Sequence, residues 1–156
     1  MKNKKRLVAS IALLALVAAL ALALSGCNAL SDAGKLQTYD FDTDQVPTIN
    51  SIVGERTVTA VDVTTTNGSP QKQYTYSSTS VFDDLVNYTT ALRNAGWTVT
   101  QDYDFNTMPG SAQLAKQSAD SGKVLVLSIA YQDGQYAIKI TKTDGTLTMN
   151  DQTSTS

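Results

Sequence analysis

The chain has 156 residues, with 12 Lys and Arg against 14 Asp and Glu, one Cys and no His. Without His or a second Cys, Ser–His–Asp triads, Cys–His pairs and zinc sites built from those ligands are excluded, and so is an internal disulfide. The formal net charge is −2, and it becomes −6 once the basic start of the chain is set aside, a balance that disfavours nucleic acid, whose phosphate backbone requires clustered Lys and Arg.

Residues 1–26 read as an export signal. Lys2, Lys4, Lys5 and Arg6 form a basic start, Leu7 to Leu24 is an uncharged, nearly wholly apolar run, and the small residues Ser25 and Gly26 lead into Cys27. The apolar run reaches the lower edge of transmembrane length, about 17 to 25 residues. The cut site decides for a signal rather than a retained helix. Leu24-Ser25-Gly26-Cys27 resembles the lipobox of bacterial lipoprotein precursors, with an aliphatic residue at −3, small residues at −2 and −1, and Cys at +1. That resemblance covers residues 1–27 and implies diacylglyceryl transfer to the Cys27 thiol, with cleavage between Gly26 and Cys27. Two acyl chains on one residue suit the physics, since a single chain holds a protein only marginally at about 0.8 kcal/mol per buried methylene. Asn28 stands where an Asp resembles an inner-membrane retention signal. The expected location is the extracytoplasmic face of a bacterial membrane, either the cell membrane or an outer membrane.

The expected mature chain carries eight basic residues against fourteen acidic ones, a net of −6. Such a balance leaves membrane attachment to the lipid. Residues 27–53 are polar with scattered apolar positions and Pro47, and read as a flexible stalk spanning about 25 to 30 Å. Residues 54–145 read as a single α+β domain, and 146–156 as a disordered tail.

Within the domain, Thr57 to Thr66 and Gln71 to Ser77 read as strands joined through Asn67-Gly68-Ser69-Pro70 into a hairpin. Ser80 to Ala95 is the clear helix. Val81, Phe82, Leu85, Tyr88, Thr89, Leu92 and Ala95 form one stripe, with Ser80 as N-cap and Gly96 as the left-handed stop. Trp97 to Phe105 alternates as a half-buried strand. Residues 111–121 have the composition of either a thin helix or a strand, with strand ahead because so weak a stripe buries too little. Lys123 to Tyr131 should be central and should pair through Gln132-Asp133-Gly134 with Gln135 to Lys142. The expected fold is β-β-α-β-β-β-β, an antiparallel sheet of five to six strands with one helix on one face. The other face is left open, as antiparallel sheets allow.

Candidate chemistry is sparse. Asp40, Asp42 and Asp44 have the spacing that opens a calcium loop, but Gln45 and Ser51 stand where Gly and Glu are needed, so a solvated acidic stalk is the better reading. Asp102 with Asp104, Asp83 with Asp84, and Glu55 are the carboxylates available for glycoside hydrolysis. Ser111 with Lys116 is a still weaker dyad. Tyr74, Tyr76, Trp97, Tyr103 and Tyr136 suit a helix–sheet core better than a ligand platform. No catalytic residue, metal site or cofactor is assigned. The expected binding face comprises Thr98, Thr100, Asp102, Asp104 and Lys139. The expected function is that of a lipid-anchored binding module for an envelope protein or polymer. Alternatives are a small cell-wall glycan hydrolase using carboxylates, or an inhibitor of a secreted hydrolase.

Overall fold

The computed structural model describes residues 27–148; the signal segment 1–26 and the end of the expected tail lie outside the described residues. The element order is α1 (Cys27–Lys35), β1 (Thr38–Phe41), β2 (Asp44–Pro47), α2 (Ile49–Val53), β3 (Thr57–Thr66), β4 (Ser69–Ser77), α3 (Val81–Asn94), β5 (Thr98–Gln101), β6 (Gly110–Gln117), β7 (Lys123–Gln132) and β8 (Gln135–Asp144). β3 to β8 form one six-stranded antiparallel sheet in the order β3-β4-β8-β7-β6-β5. β1 and β2 make a separate two-stranded ribbon. The fold is α+β, with the sheet expected from the sequence and with 111–117 in strand.

Local chemistry accounts for the main turns. Asn67 and Gly68 both take positive φ, 51° and 77°, as a two-residue hairpin turn between right-twisted strands requires. At the end of α3, Gly96 sits at φ 88°. Its N–H donates to the Arg93 carbonyl and the Trp97 N–H to the Leu92 carbonyl, which closes the last turn with a Schellman pair. The start of α3 differs from expectation. The Ser80 hydroxyl makes no cap bond; instead the Ser78 hydroxyl accepts from the Ser80 N–H and donates to Asp84.

The strand expected over 97–105 is cut short. Only Thr98–Gln101 pairs with β6, with a bulge between Val99 and Gln101. Beyond it, the Asp104 carboxylate accepts from the Asn106 N–H, the Asn106 side chain and the Thr107 hydroxyl. A side chain that satisfies the local backbone in this way competes with the ladder. Phe105 stays buried nonetheless, its ring edge-on to Tyr131 at 5.1 Å.

The largest correction concerns residues 27–53. They form α1, the ribbon and α2, not a stalk, and Ala33, Tyr39, Phe41, Val46 and Ile49 are buried in the main core. One face of the sheet carries Val58, Tyr74, Tyr76, Leu114, Leu127, Ile129, Tyr136, Ile138 and Ile140 inward. A fourteen-residue helix is about 21 Å long and about 10 Å across, too narrow for six strands spaced about 4.8 Å apart. α3 supplies Val81, Leu85, Tyr88 and Leu92, and the ribbon with α2 covers the remainder. Tyr39 lies 4.6 Å from Tyr74, ring centre to ring centre. The opposite face has no covering element among the described residues.

Because Ile49 is fully buried, Ile49→Ala should cost about 2 to 5 kcal/mol in urea unfolding. A loss below about 0.5 kcal/mol would return this segment to the status of a stalk.

Candidate functional site

The five residues expected on the binding face do not converge. Thr98, Thr100 and Lys139 do lie on the open face, but they are spread across it. In register, Lys139 pairs with Ser128 on β7, Ser128 with Gln113 on β6, and Gln113 with Gln101 on β5. Three strand spacings, about 14 Å, therefore separate Lys139 from the Thr100 edge. The Thr100 hydroxyl is bonded to the Gln113 side chain at 3.0 Å. Asp102 and Asp104 fall in the loop after β5 and do not share a strand face, which corrects the expected placement. Asp104 is fixed by its own turn, and the hydrogen bonds from Asn106 and Thr107 hold its carboxyl below the usual range.

The other candidate pairs also separate. Ser111 and Lys116 are five residues apart on β6 and so point to opposite faces; Lys116 donates to the Ala95 carbonyl. Asp83 is exposed, whereas its neighbour Asp84 is buried in an ion pair with Arg56. Tyr74, Tyr76, Trp97 and Tyr136 are core residues.

The ionisable groups that the fold does bring together lie inside. Lys142 occupies the inward row of β8, two residues beyond Ile140, and is only 5 % exposed. Its ammonium meets Asp44 at 2.9 Å, contacts Asp120, and donates to the Thr43 hydroxyl and the Phe41 carbonyl. Asp44 accepts in addition from the Ser118 hydroxyl and the Ala119 N–H. Burial raises the Asp44 carboxyl pKa, but the Ser118, Ala119 and Lys142 bonds outweigh it and hold the group at about 2. Burial likewise works against the Lys142 charge, and its two carboxylate partners overcome this and raise its pKa. Thus the acidic triplet around 40–44 is a hairpin, with Asp42 at its turn (φ 55°) and Asp44 turned inward.

A second cluster joins α3 to the segment after α2. Asp84 receives a two-pronged bond from Arg56 at 2.5 and 2.7 Å, with the Ser78 and Tyr136 hydroxyls as further donors. Against the cost of burial, the Arg56 bond leads in keeping Asp84 ionised. Next to it, the Tyr39 and Tyr76 hydroxyls share a 2.5 Å hydrogen bond, and Tyr88 donates to the Pro47 carbonyl. Burial pushes all four of these tyrosines above their ordinary value. They are protonated near neutral pH and serve as hydrogen-bond posts.

Each buried carboxylate is thus neutralised by a cation and saturated with donors. Surface hollows among the described residues include one of about 270 Å³ between α1 and the start of β3 and one of about 380 Å³ beside Thr90, Arg93, Asn94 and Trp97. Neither is lined by two carboxylates. Among the described residues, the open sheet face and the outer edge of β3 remain accessible. No protein family, curated protein or solved structure matches the chain.

The Lys142 cluster gives a signed pH dependence. An unfolded Asp titrates near about 3.9, so stability from Asp44 is complete above that value and is lost as pH falls towards 2. The melting temperature should therefore decline between about pH 4 and pH 2, and Asp44→Asn should lower it at pH 7 while flattening that decline. Lys142→Met should cost about 3 to 5 kcal/mol by stranding Asp44, and the double variant should recover part of the loss. Equal pH profiles, or strictly additive losses, would refute the coupling.

Proposed function

We propose that the chain is an extracytoplasmic lipoprotein, cleaved before Cys27 and held to a bacterial membrane by acyl chains on that residue. Its domain acts as a binding module for a protein or polymer of the envelope. The reading is carried by the lipobox Leu24-Ser25-Gly26-Cys27.

The folded position of residues 27–53 changes what the anchor does. Leu30 is already packed against the core and Ala33 is buried. Leu30 is three positions on from Cys27, and even an extended chain covers at most about 3.6 Å per residue. The domain is then held within about 11 Å of the lipidated residue, and a ligand must be reachable at the bilayer surface. A binding role fits a domain whose buried acids and bases are consumed by one another, while among the described residues one sheet face and one long strand edge stay uncovered.

Cys27→Ala should abolish incorporation of a palmitate analogue and leave a precursor longer by the 26 residues before Cys27. Labelling of that variant at the native level would sink the assignment. So would a native chain that is unlabelled and retains its N-terminus.

A further inference from the structure

The sheet has two edges, and they are unequal. β5 is four residues long, carries a bulge, and gives way to the Asp104 turn. β3 is ten residues long and lies at the other end of the strand order. α1 packs against β3, its Gly34 approaching Val58, and a bulge between Val58 and Ala60 breaks the register. Beyond that bulge, among the described residues, the backbone of Val61–Thr66 bonds only to β4.

Natural sheets blunt such edges with Pro, Lys, short strands or a covering element. From Ala60 to Thr66 the only charged residue is Asp62, which is exposed and makes no ion pair among the described residues. Val63, at 61 %, is the most exposed large apolar side chain described. Along the strand, Val61 and Val63 point to one face, and Ala60, Asp62 and Thr64 to the other. Asp62 continues across the sheet into Gln73 and then Lys139. Two strand spacings, about 10 Å, keep that ammonium out of contact.

We propose that the β3 edge over Ala60–Thr66 receives an extended polypeptide as a seventh strand, one carrying Lys or Arg opposite Asp62 and branched apolar residues opposite Val61 and Val63. This rests on the binding-module reading and names its partner class. Main-chain pairing supplies the attachment and the alternating side chains supply selection. A polypeptide is favoured over a glycan because the unmet groups are a ladder of alternating N–H and C=O. A basic segment is favoured over a second copy of this chain because β3 holds no Lys or Arg. Self-pairing would leave both Asp62 carboxylates unanswered and close to one another.

The test uses the full chain in detergent micelles and a blocked peptide, Gly-Ser-Thr-Val-Lys-Val-Thr-Ser-Gly. Two controls accompany it, one with Glu in place of Lys and one with N-methyl groups on alternate backbone amides. The Lys peptide should bind about five- to tenfold more tightly than the Glu peptide at low salt. Asp62→Lys should invert that order, and N-methylation should weaken binding at least tenfold. Hydrogen exchange should slow at alternate amides between Ala60 and Thr66. The proposal is overturned by equal affinity for all three peptides, by no binding, or by protection on β5 or the open face. It is equally overturned if the β3 amides are protected without peptide and the chain sediments as a dimer. Acyl labelling of Cys27 in the same preparation separates the two proposals, since the edge can fail while the anchor holds, and the reverse.

Discussion

The Lys142 ammonium is the constraint on which the architecture turns. It stands in the inward row of β8, paired across the ladder with Leu125, where an aliphatic side chain would be expected. An ammonium removed from water is costly unless it is matched by charge and hydrogen bonds. The match comes from two separate parts of the chain: Asp44, Thr43 and Phe41 in the ribbon, and Asp120 in the turn between β6 and β7. The ribbon therefore cannot slide or lift without exposing a charge to an apolar surface.

The Arg56–Asp84 pair does the same at the other end of the covered face. It ties the chain leaving α2 to α3, and Tyr136 and Ser78 bring β8 and the end of β4 into the same node. Between these two polar nodes, Tyr39, Tyr76 and Tyr88 provide apolar area together with hydroxyls that locate the ribbon and α3 over the sheet. The inward face is held by directional bonds as well as by burial. Groups so committed are poor candidates for moving protons, and the proposed recognition would fall to surfaces that the core does not consume.

The sheet was legible because its signals were local and agreed. Asn67-Gly68 fixes one hairpin, Gly134 at φ 75° closes another, and α3 has its stripe and its stop. The ribbon was less legible because its signal is short. Tyr39, Phe41 and Val46 do alternate around the Asp42-Thr43 turn, but four strand residues a side, with six polar residues across strands and turn, are outweighed by composition. What decides their burial is the area of sheet left bare by α3, which no local pattern reports. Asp44 was noticed for its spacing with Asp40 and Asp42, and its partner Lys142 lies 98 positions away. Asp104 failed in the opposite direction: its alternation suited a strand, while its carboxylate could satisfy the backbone of its own turn.

The proposed anchor and the proposed edge meet at one place in the fold. α1 follows Cys27 and packs on β3, with Leu30, Ser31, Gly34 and Lys35 facing Glu55, Arg56, Thr57 and Val58 across a shallow hollow. A nine-residue helix is about 13 Å long, so an acyl-bearing Cys27 would sit within one short helix of the strand edge. A flexible stalk would let that edge sample every direction. A helix docked into the core instead fixes the edge relative to the attachment point. The proposed anchor would then determine how the edge is presented as well as where the protein resides, and a basic strand reaching Asp62 would do so alongside the membrane.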